Sequence, residues 1–153
     1  MNNEPGRTLS GEYWIRFVEG MPKGTAQQKG ERIAYARDMS GKLKPYIQHY
    51  KSKKVSQARR EFEKALIQFH PPLIPKSKPI ALTIILYFNV KSERKKWGHW
   101  KPTKPDADNY CKELIDAMAG RFFENDAQIC DLRIMKRYAE KATIYIRVEE
   151  LAP

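Results

Sequence analysis

Residues 80–90 of the chain are IALTIILYFNV, the longest apolar run among its 153 residues. β-Branched and aromatic side chains dominate this run and Pro79 bounds it, which predicts a strand buried at the centre of a sheet. Its 11 residues include Thr83 and Asn89 and are too few to span a bilayer. The run therefore predicts a folded domain built around one central strand.

Helical periodicity flanks the predicted strand on both sides. Before it, apolar residues between 55 and 69 recur at spacings of three and four, and His70-Pro71-Pro72 ends the pattern because proline cannot continue a helix. After it, residues 109–119 carry apolar side chains near one face, and Gly120 follows the predicted end. Two main helices are expected.

Alternating apolar and polar residues predict four further strands. These are 12–18, 31–37, 128–138 (with Cys130, Leu132 and Ile134 on one face) and 143–149. The short link 139–141 predicts that the last two strands pair as a hairpin. The expected fold class is α+β, a single domain at 12–153 with a mixed β-sheet packed against two main helices. A flexible N-terminal arm is expected at 1–11.

The charge of the chain is strongly positive and unevenly distributed. The 29 Lys and Arg against 18 Asp and Glu give +11, which predicts a polyanionic partner, most simply nucleic acid. Residues 1–104 hold 22 basic and 8 acidic groups, net +14, whereas 105–153 hold 7 and 10, net −3. A protein that only binds phosphates has no electrostatic reason for this acidic last third, but an enzyme that brings a cation to a phosphate does.

The cysteines and the first residues indicate the cellular setting. Two cysteines without a Cys-x-x-Cys motif or a Cys/His cluster do not form a disulfide framework and make structural zinc unexpected. Cys111 and Cys130 are most simply small core residues. Residues 1–5 lack the basic and apolar segments of a secretory signal. A reducing, cytoplasmic location is expected.

Two aspartates follow Lys104-Pro105 with one residue between them. If 106–108 is extended, Asp106 and Asp108 project from one face with Cα atoms about 6–7 Å apart, and such close like charges favour a cation between them. Mg²⁺ prefers oxygen ligands, and a bound Mg²⁺ can polarise a phosphate and activate water. Alternatively, Asp108 or Asn109 only caps the following helix. Asp108 can do both, because the helix dipole favours a carboxylate there.

Further acids and one lysine complete the candidate site. Asp126 is the third candidate ligand, with a simple turn residue as the alternative, and Glu124 is a less favoured auxiliary ligand. Lys112 lies one turn after Asp108, where it can pair with that acid, contact phosphate or stabilise a developing oxyanion; the alternative is an exposed helix lysine. Asp116 is more simply an ion-pairing or solvent-facing residue than a ligand.

The same segment resembles the RusA family of Holliday junction resolvases. The matching pattern is K-P-D-x-D-N-x-x-K-x-x-x-D-A at 104–117, followed by D-A-Q at 126–128. The resemblance is strongest over 104–137. It implies a homodimeric, Mg²⁺-dependent endonuclease, with Mn²⁺ able to substitute, that nicks opposing strands of a four-way DNA junction symmetrically and leaves 5′-phosphate ends. Such proteins are typically encoded by phages or prophages.

The resemblance also implies roles for individual residues. It assigns catalysis and metal binding to Asp106, Asp108 and Asp126, and catalysis to Lys112. The family often has Asp where this chain has Asn125, so an auxiliary acidic ligand is lost or Glu124 takes its place. The acid that matches the catalytic position is retained.

Two basic stretches are expected to face DNA. Residues 41–60 hold seven Lys and Arg and no acid, and residues 91–104 hold six, with two Trp and one acid. We expect lysines of both stretches to bind phosphates. The same is expected of the strand lysine that the resemblance marks as a recurring basic position. They are Lys53, Lys54, Lys95, Lys96, Lys101, Lys104 and Lys136. Trp97 and Trp100 either stack on bases at the junction centre or pack on the sheet edge.

Two other functions fit the same sequence. One is a non-catalytic basic nucleic-acid-binding protein whose acids only cap helices and form ion pairs. The other is a branched-DNA nuclease that prefers flaps or forks. Cutting of a labelled four-way junction with Mg²⁺ but not with EDTA excludes a pure binder, and a panel of branched DNAs ranks the nuclease alternatives.

Overall fold

A five-stranded mixed sheet and two helices on one of its faces form the body of the protein. The computed structural model describes residues 6–7, 13–16, 30–50, 53–90 and 93–152. In chain order the strands are β1 (Gly6–Arg7), β2 (Tyr13–Arg16), β3 (Gly30–Arg37), β4 (Leu43–Tyr50), β5 (Ile80–Asn89), β6 (Ile129–Ala139) and β7 (Thr143–Glu150). The helices are α1 (Lys53–Leu66) and α2 (Ala107–Met118), and short 3-10 helices lie at Arg94–Lys96 and Asp126–Gln128. The predicted α+β class with two main helices is confirmed.

The sheet has the order β1-β2-β7-β5-β6. β5, which contains most of the apolar run at 80–90, therefore lies inside the sheet, as predicted. β5 pairs in parallel with β6 and antiparallel with β7. The predicted hairpin of the last two strands is therefore wrong, because β5 lies between them. A strand with apolar side chains on both faces is most stable between two neighbours. The link from β6 crosses the end of β5, where the Asn89 side chain donates to the Glu140 carbonyl.

The core lies between the sheet and the two helices. Alternate side chains of β5 and β7 point into it, as the sequence predicts for Ile144, Ile146 and Val148. The rings of Phe62 from α1 and Tyr110 from α2 meet edge to face with centroids 5.6 Å apart. Each fully buried aliphatic or aromatic side chain contributes about 1.5–3 kcal/mol. This packing fixes α2, which carries most of the candidate site.

β3 and β4 form a separate two-stranded ribbon. The sequence predicts β3, but β4 lies in a basic stretch containing Pro45 and has no clear apolar alternation. The turn between the strands is held by the Asp38 carboxylate, which accepts hydrogen bonds from Ser40 and Lys42; these bonds lower the pKa of Asp38. Gly41 in this turn has φ +80°, a conformation that favours glycine.

The predicted N-terminal arm is described only in part. β1 pairs antiparallel with the start of β2, whereas residues 1–5 and 8–12 lie outside the described residues. The described part of the predicted strand 12–18 is β2, which pairs antiparallel with β7. The boundary of the arm stays a prediction. Within the described ranges, no helix has the length and apolar character needed to cross a membrane.

Candidate active site

A groove of about 360 Å³ runs between α2 and the first half of β6. Its polar lining comes from α2 and from the 3-10 helix before β6, and its apolar lining from the facing residues of α2 and β6. The polar residues are Asp108, Lys112, Asp116 and Asp126, and the apolar ones are Ile115, Ile129, Leu132 and Ile134. The fold thus brings Asp108 and Asp126, which are far apart in sequence, to one groove. Lys112 lies between Asp108 and Asp116 on α2.

The amphipathic character of α2 explains how its polar residues reach the groove. Asp108, Lys112 and Asp116 follow each other at intervals of four and share one side of the helix. Tyr110 and Leu114, on the opposite side, are buried in the core. Packing of the apolar side therefore presents an acid–lysine–acid stripe to the groove.

Asp106 occupies the N-cap position of α2. Its backbone is extended (φ −67°, ψ 135°), and its carbonyl accepts the Tyr110 amide at 3.1 Å, but its side chain makes no capping hydrogen bond. The expectation of an extended 106–108 segment is wrong, because Asp108 already lies in the first turn. The alternative that Asp108 or Asn109 is the N-cap is wrong for the same reason. The Asp106 carboxylate is therefore not used for capping.

The turn that carries Asp126 is fixed by its neighbours. Asn125 Oδ1 accepts the Ala127 amide at 2.8 Å, and Gln128 Oε1 accepts the Asn125 amide at 2.9 Å, which together form a capping box. Gln128 is buried, and its Nε2 donates to the carbonyls of Pro75 and Lys78 at 2.8 and 3.0 Å. The alternative of a turn position for Asp126 is correct, but Asn125 supplies the cap.

The structure also explains how Asn125 can replace the Asp that the resembling family often has at this position. An N-cap needs a side-chain oxygen acceptor, which Asn and Asp supply about equally well. Glu124 accepts the Lys76 amide at 2.8 Å and is not among the residues that line the groove. Glu124 is thus bound to the loop before β5, and the structure gives no support for its role as an auxiliary ligand. Gln128 was missed as a functional position, although the Asn-x-x-Gln spacing signals a capping box.

Carboxylate oxygens are the donor type that suits Mg²⁺. In the described part of the chain, no group of three or more His, Cys, Asp or Glu is close enough to hold a metal ion. Mg²⁺ commonly uses only one or two protein carboxylates and takes its other ligands from water and substrate phosphates. Asp108 and Asp126, which line the groove, are therefore donors of the type that suits Mg²⁺, whereas Asp106 is not among the residues that line it.

The second basic stretch lies along the other half of β6. Three backbone hydrogen bonds join it to the strand: Gly98 to Tyr138 (2.8 Å), Tyr138 to His99 (3.0 Å) and Lys101 to Lys136 (3.0 Å). This segment therefore lengthens the sheet edge just beyond the groove. It places a basic loop beside the start of α2.

The two tryptophans of this stretch differ in environment. Trp97 is partly buried and its Nε1 donates to the Val90 carbonyl at 3.2 Å. Trp100 is 60% exposed, and the Arg137 guanidinium lies 3.9 Å from its ring centroid. Packing on the sheet edge is thus correct for Trp97, whereas Trp100 keeps a surface available for stacking.

The lysines expected to bind DNA fall into two groups. Lys95, Lys96 and Lys104 are exposed, with Lys96 2.5 Å from Glu93. Lys101 and Lys136 instead direct their ammonium groups to backbone carbonyls of the loop before α2. Lys53 and Lys54 begin α1, and their side chains lie outside the described part.

The two cysteines also differ. Cys111 is buried, as predicted, and burial raises the pKa of its thiol to about 12. Cys130 is exposed, so the prediction of a core position is wrong for it. The register of β6 with β5 steps from Ile129 to Asp131, which makes Cys130 the extra residue of a bulge.

Comparison with known proteins gives the class of this domain. The chain belongs to the RusA family, because the family model described as endodeoxyribonuclease RusA matches residues 19–149. The resemblance predicted from residues 104–137 is thereby confirmed.

Two relatives are similar to this chain. One is the crossover junction endodeoxyribonuclease rusA of Lactococcus phage r1t, 35% identical over 77 residues, which are 50% of this chain and 58% of that protein. The other is the uncharacterized protein YqaN of Bacillus subtilis (strain 168), 25% identical over 133 residues, which are 80% of this chain and 93% of that protein. The match with the phage protein thus spans somewhat more than half of its length.

Proposed function

We propose that this protein is a structure-selective endodeoxyribonuclease that resolves four-way DNA junctions by paired symmetric nicks and requires Mg²⁺, for which Mn²⁺ can substitute. Family membership supports the endonuclease activity, and the name of the Lactococcus phage relative supports the crossover-junction substrate. The structural observation that supports the proposal most is the groove that brings together Asp108, Lys112 and Asp126 beside an exposed basic loop.

Three aspartates and one lysine have roles in this proposal. Asp106, Asp108 and Asp126 hold the metal through carboxylate oxygens, and a bound Mg²⁺ supplies Lewis-acid polarisation of the scissile phosphate. Lys112, one turn from Asp108, stabilises the negative charge that develops on the phosphate oxygens.

The proposed reaction is hydrolysis of one phosphodiester bond in each of two strands. The oxygen of a water molecule bonds to phosphorus, and the bond from phosphorus to the 3′ oxygen breaks. The water loses a proton and the departing 3′ oxygen gains one. The products are a 5′-phosphate and a 3′-hydroxyl, which a ligase can join.

The proposed DNA surface surrounds the groove. Lys95, Lys96 and Lys104 contact phosphates, with Lys53 and Lys54 as further contacts from the start of α1, and Trp100 stacks on a base at the branch point. A homodimer presents two such sites to symmetric strands and doubles the net charge of +11. A phage or prophage origin, a cytoplasmic location and the domain limits 12–153 stay predictions.

Cleavage of a panel of labelled DNAs tests the proposal. The panel contains a four-way junction, a flap, a replication fork and a linear duplex, each incubated with Mg²⁺, with Mn²⁺ and with EDTA. We expect cutting of the junction with either metal and none with EDTA. Religation of the nicked products by DNA ligase checks the predicted ends.

Two results would contradict the proposal in different ways. Binding of every DNA without cutting under any metal condition indicates a non-catalytic nucleic-acid-binding protein. Faster cutting of flaps or forks than of the four-way junction retains the nuclease and rejects the junction as its preferred substrate.

A further inference from the structure

Two lysine ammonium groups converge on the loop that leads into α2. Lys136 Nζ donates to the carbonyls of Thr103 and Pro105, both at 2.8 Å. Lys101 Nζ donates to the carbonyls of Thr103 at 3.2 Å and Lys104 at 2.5 Å, and also to the Thr103 hydroxyl. The three carbonyls before Asp106 are thus held by two cations.

The position of Lys136 in the sheet explains this direction. It pairs in register with Leu86, whose side chain is fully buried, so Lys136 lies on the sheet face that the helices cover. Its side chain is only partly accessible there. Removing an ammonium group from water is costly, and charge-assisted hydrogen bonds to carbonyls offset that cost. Lys136 therefore uses two of its three N–H donors for hydrogen bonds to the carbonyls of Thr103 and Pro105.

Lys101 reinforces the same contact. Its backbone amide donates to the Lys136 carbonyl at 3.0 Å, and its ammonium lies 5.0 Å from the ring centroid of Phe88 and 5.7 Å from that of Tyr138. Desolvation, together with the nearby charge of Lys136, lowers the pKa of Lys101. Both partly buried lysines thus direct their ammonium groups to this loop, unlike the exposed lysines of the basic stretch.

We propose that Lys136, supported by Lys101, is a positioning residue that holds the Thr103–Pro105 loop and so sets the place of Asp106 and of the first turn of α2 at the groove. This role rests on the proposed nuclease function and replaces the predicted DNA contact of these two lysines. Neither lysine touches a reacting atom. Residues that orient metal-binding side chains typically change metal affinity or activity by about 10–100-fold when they are removed.

Three variants separate positioning from DNA contact. Lys136→Met keeps the aliphatic stem and removes the donors. Lys136→Arg retains donors that can reach the loop carbonyls. Lys95→Met is the matched control, because Lys95 is an exposed lysine of the same basic stretch. Circular dichroism and thermal unfolding establish that each variant is folded, and Lys101→Met replaces Lys136→Met in the same measurements if the latter does not fold.

The first readout is amide hydrogen exchange in the protein alone, without DNA or metal. We expect Lys136→Met to accelerate exchange at the Tyr110 amide, which bonds to the Asp106 carbonyl, by about tenfold or more, with β5 amides unchanged. Lys136→Arg should restore most of the protection. Lys95→Met should leave it unchanged.

The second readout is cleavage of a four-way junction in a single turnover. At saturating protein, Lys136→Met should cut about 10–100-fold more slowly and need more Mg²⁺, with junction affinity within about threefold of wild type. Lys95→Met should instead weaken junction binding.

Opposite results would overturn the positioning role. They are unchanged amide exchange in Lys136→Met, or weaker junction binding with a wild-type rate at saturation. If the wild-type protein cuts no branched DNA, the proposed function fails, and the exchange experiment alone decides whether Lys136 orders the start of α2.

Discussion

Neither Asp106 nor Asp126 uses its carboxylate for capping. The N-cap of α2 makes no side-chain capping hydrogen bond, and the turn at Asp126 is capped by Asn125 and Gln128. Sites held by supporting hydrogen bonds from neighbouring residues keep their geometry when a ligand binds. The proposed chemistry thus also depends on the neutral residues Asn125 and Gln128, which fix the turn that carries Asp126.

The two thiols provide a direct test of side-chain placement. We expect a thiol reagent such as DTNB to modify Cys130 rapidly in the native protein, since it is exposed. Cys111 should react slowly, because it is buried and its raised pKa of about 12 keeps it protonated at neutral pH. Spectrophotometric titration should count one fast thiol natively and two in denaturant. Cys130→Ser should abolish the fast reaction, and persistence of that reaction would contradict the placement.

Sequence spacing predicts some of these positions and not others. A helical period places Asp108 and Lys112 on one side of α2, and the structure agrees. The same reasoning does not show that Asp106, rather than Asp108, is the N-cap, since boundaries shift by a residue or two. It also cannot find the bonds of Gln128 to Pro75 or of Lys136 to Thr103, which join segments that only tertiary folding brings together.

At the level of elements, Gln128 joins the turn of Asp126 to the loop before β5. Gln128→Leu removes its side-chain hydrogen bonds to the carbonyls of Pro75 and Lys78 and to the Asn125 amide, each worth about 0.5–1.5 kcal/mol. We expect lower stability by urea unfolding and slower junction cleavage, because Asp126 loses its fixed turn.

The matched control for this change is Gln68→Leu. Gln68, just after α1, donates one exposed hydrogen bond to the Ala65 carbonyl in the last turn of that helix. Its replacement should change stability by no more than about 0.5 kcal/mol. Equal destabilisation by the two variants would show that the Gln128 bonds are not what holds the turn.

The elements predicted correctly are those with a strong period of their own. β7 and both helices have such patterns, and β5 is marked instead by its continuous apolar run, whereas β4 is polar and basic and is stabilised by pairing with β3. β5 lies between β6 and β7 although only a short link joins those two strands. The short length of the link at 139–141 is therefore not sufficient to predict that the strands it joins pair with each other.

For the whole molecule, the charge distribution links binding to chemistry. The net charge of +11 attracts a polyanion, while the carboxylates of the groove lie in the acidic last third of the chain. In the proposed function, a bound divalent cation offsets this negative charge where DNA must approach most closely. The basic loop at 93–104 borders the same place.

Salt dependence of junction binding tests the proposed DNA surface. The logarithm of affinity should fall linearly with the logarithm of salt concentration, by about 0.9 for each phosphate contact. Lys95→Ala should reduce this slope by about one per protomer, or about two in a homodimer. Fluorescence anisotropy across a salt series measures it. Lys78→Ala, outside both basic stretches, should keep the wild-type slope, and a uniform effect of both variants would contradict a defined surface.

The central claim is that the carboxylates of the groove cut DNA, and the single-turnover rate of four-way junction cleavage by Asp126→Asn tests it most directly. Asn preserves the size of the side chain and removes its charge. Asp131→Asn is the control, because Asp131 pairs with Arg133 at 3.0 Å and is not among the groove residues. We predict that Asp126→Asn binds the junction with at least wild-type affinity and cuts it at least about 100-fold more slowly, while Asp131→Asn cuts normally. Wild-type cutting by Asp126→Asn would contradict the account.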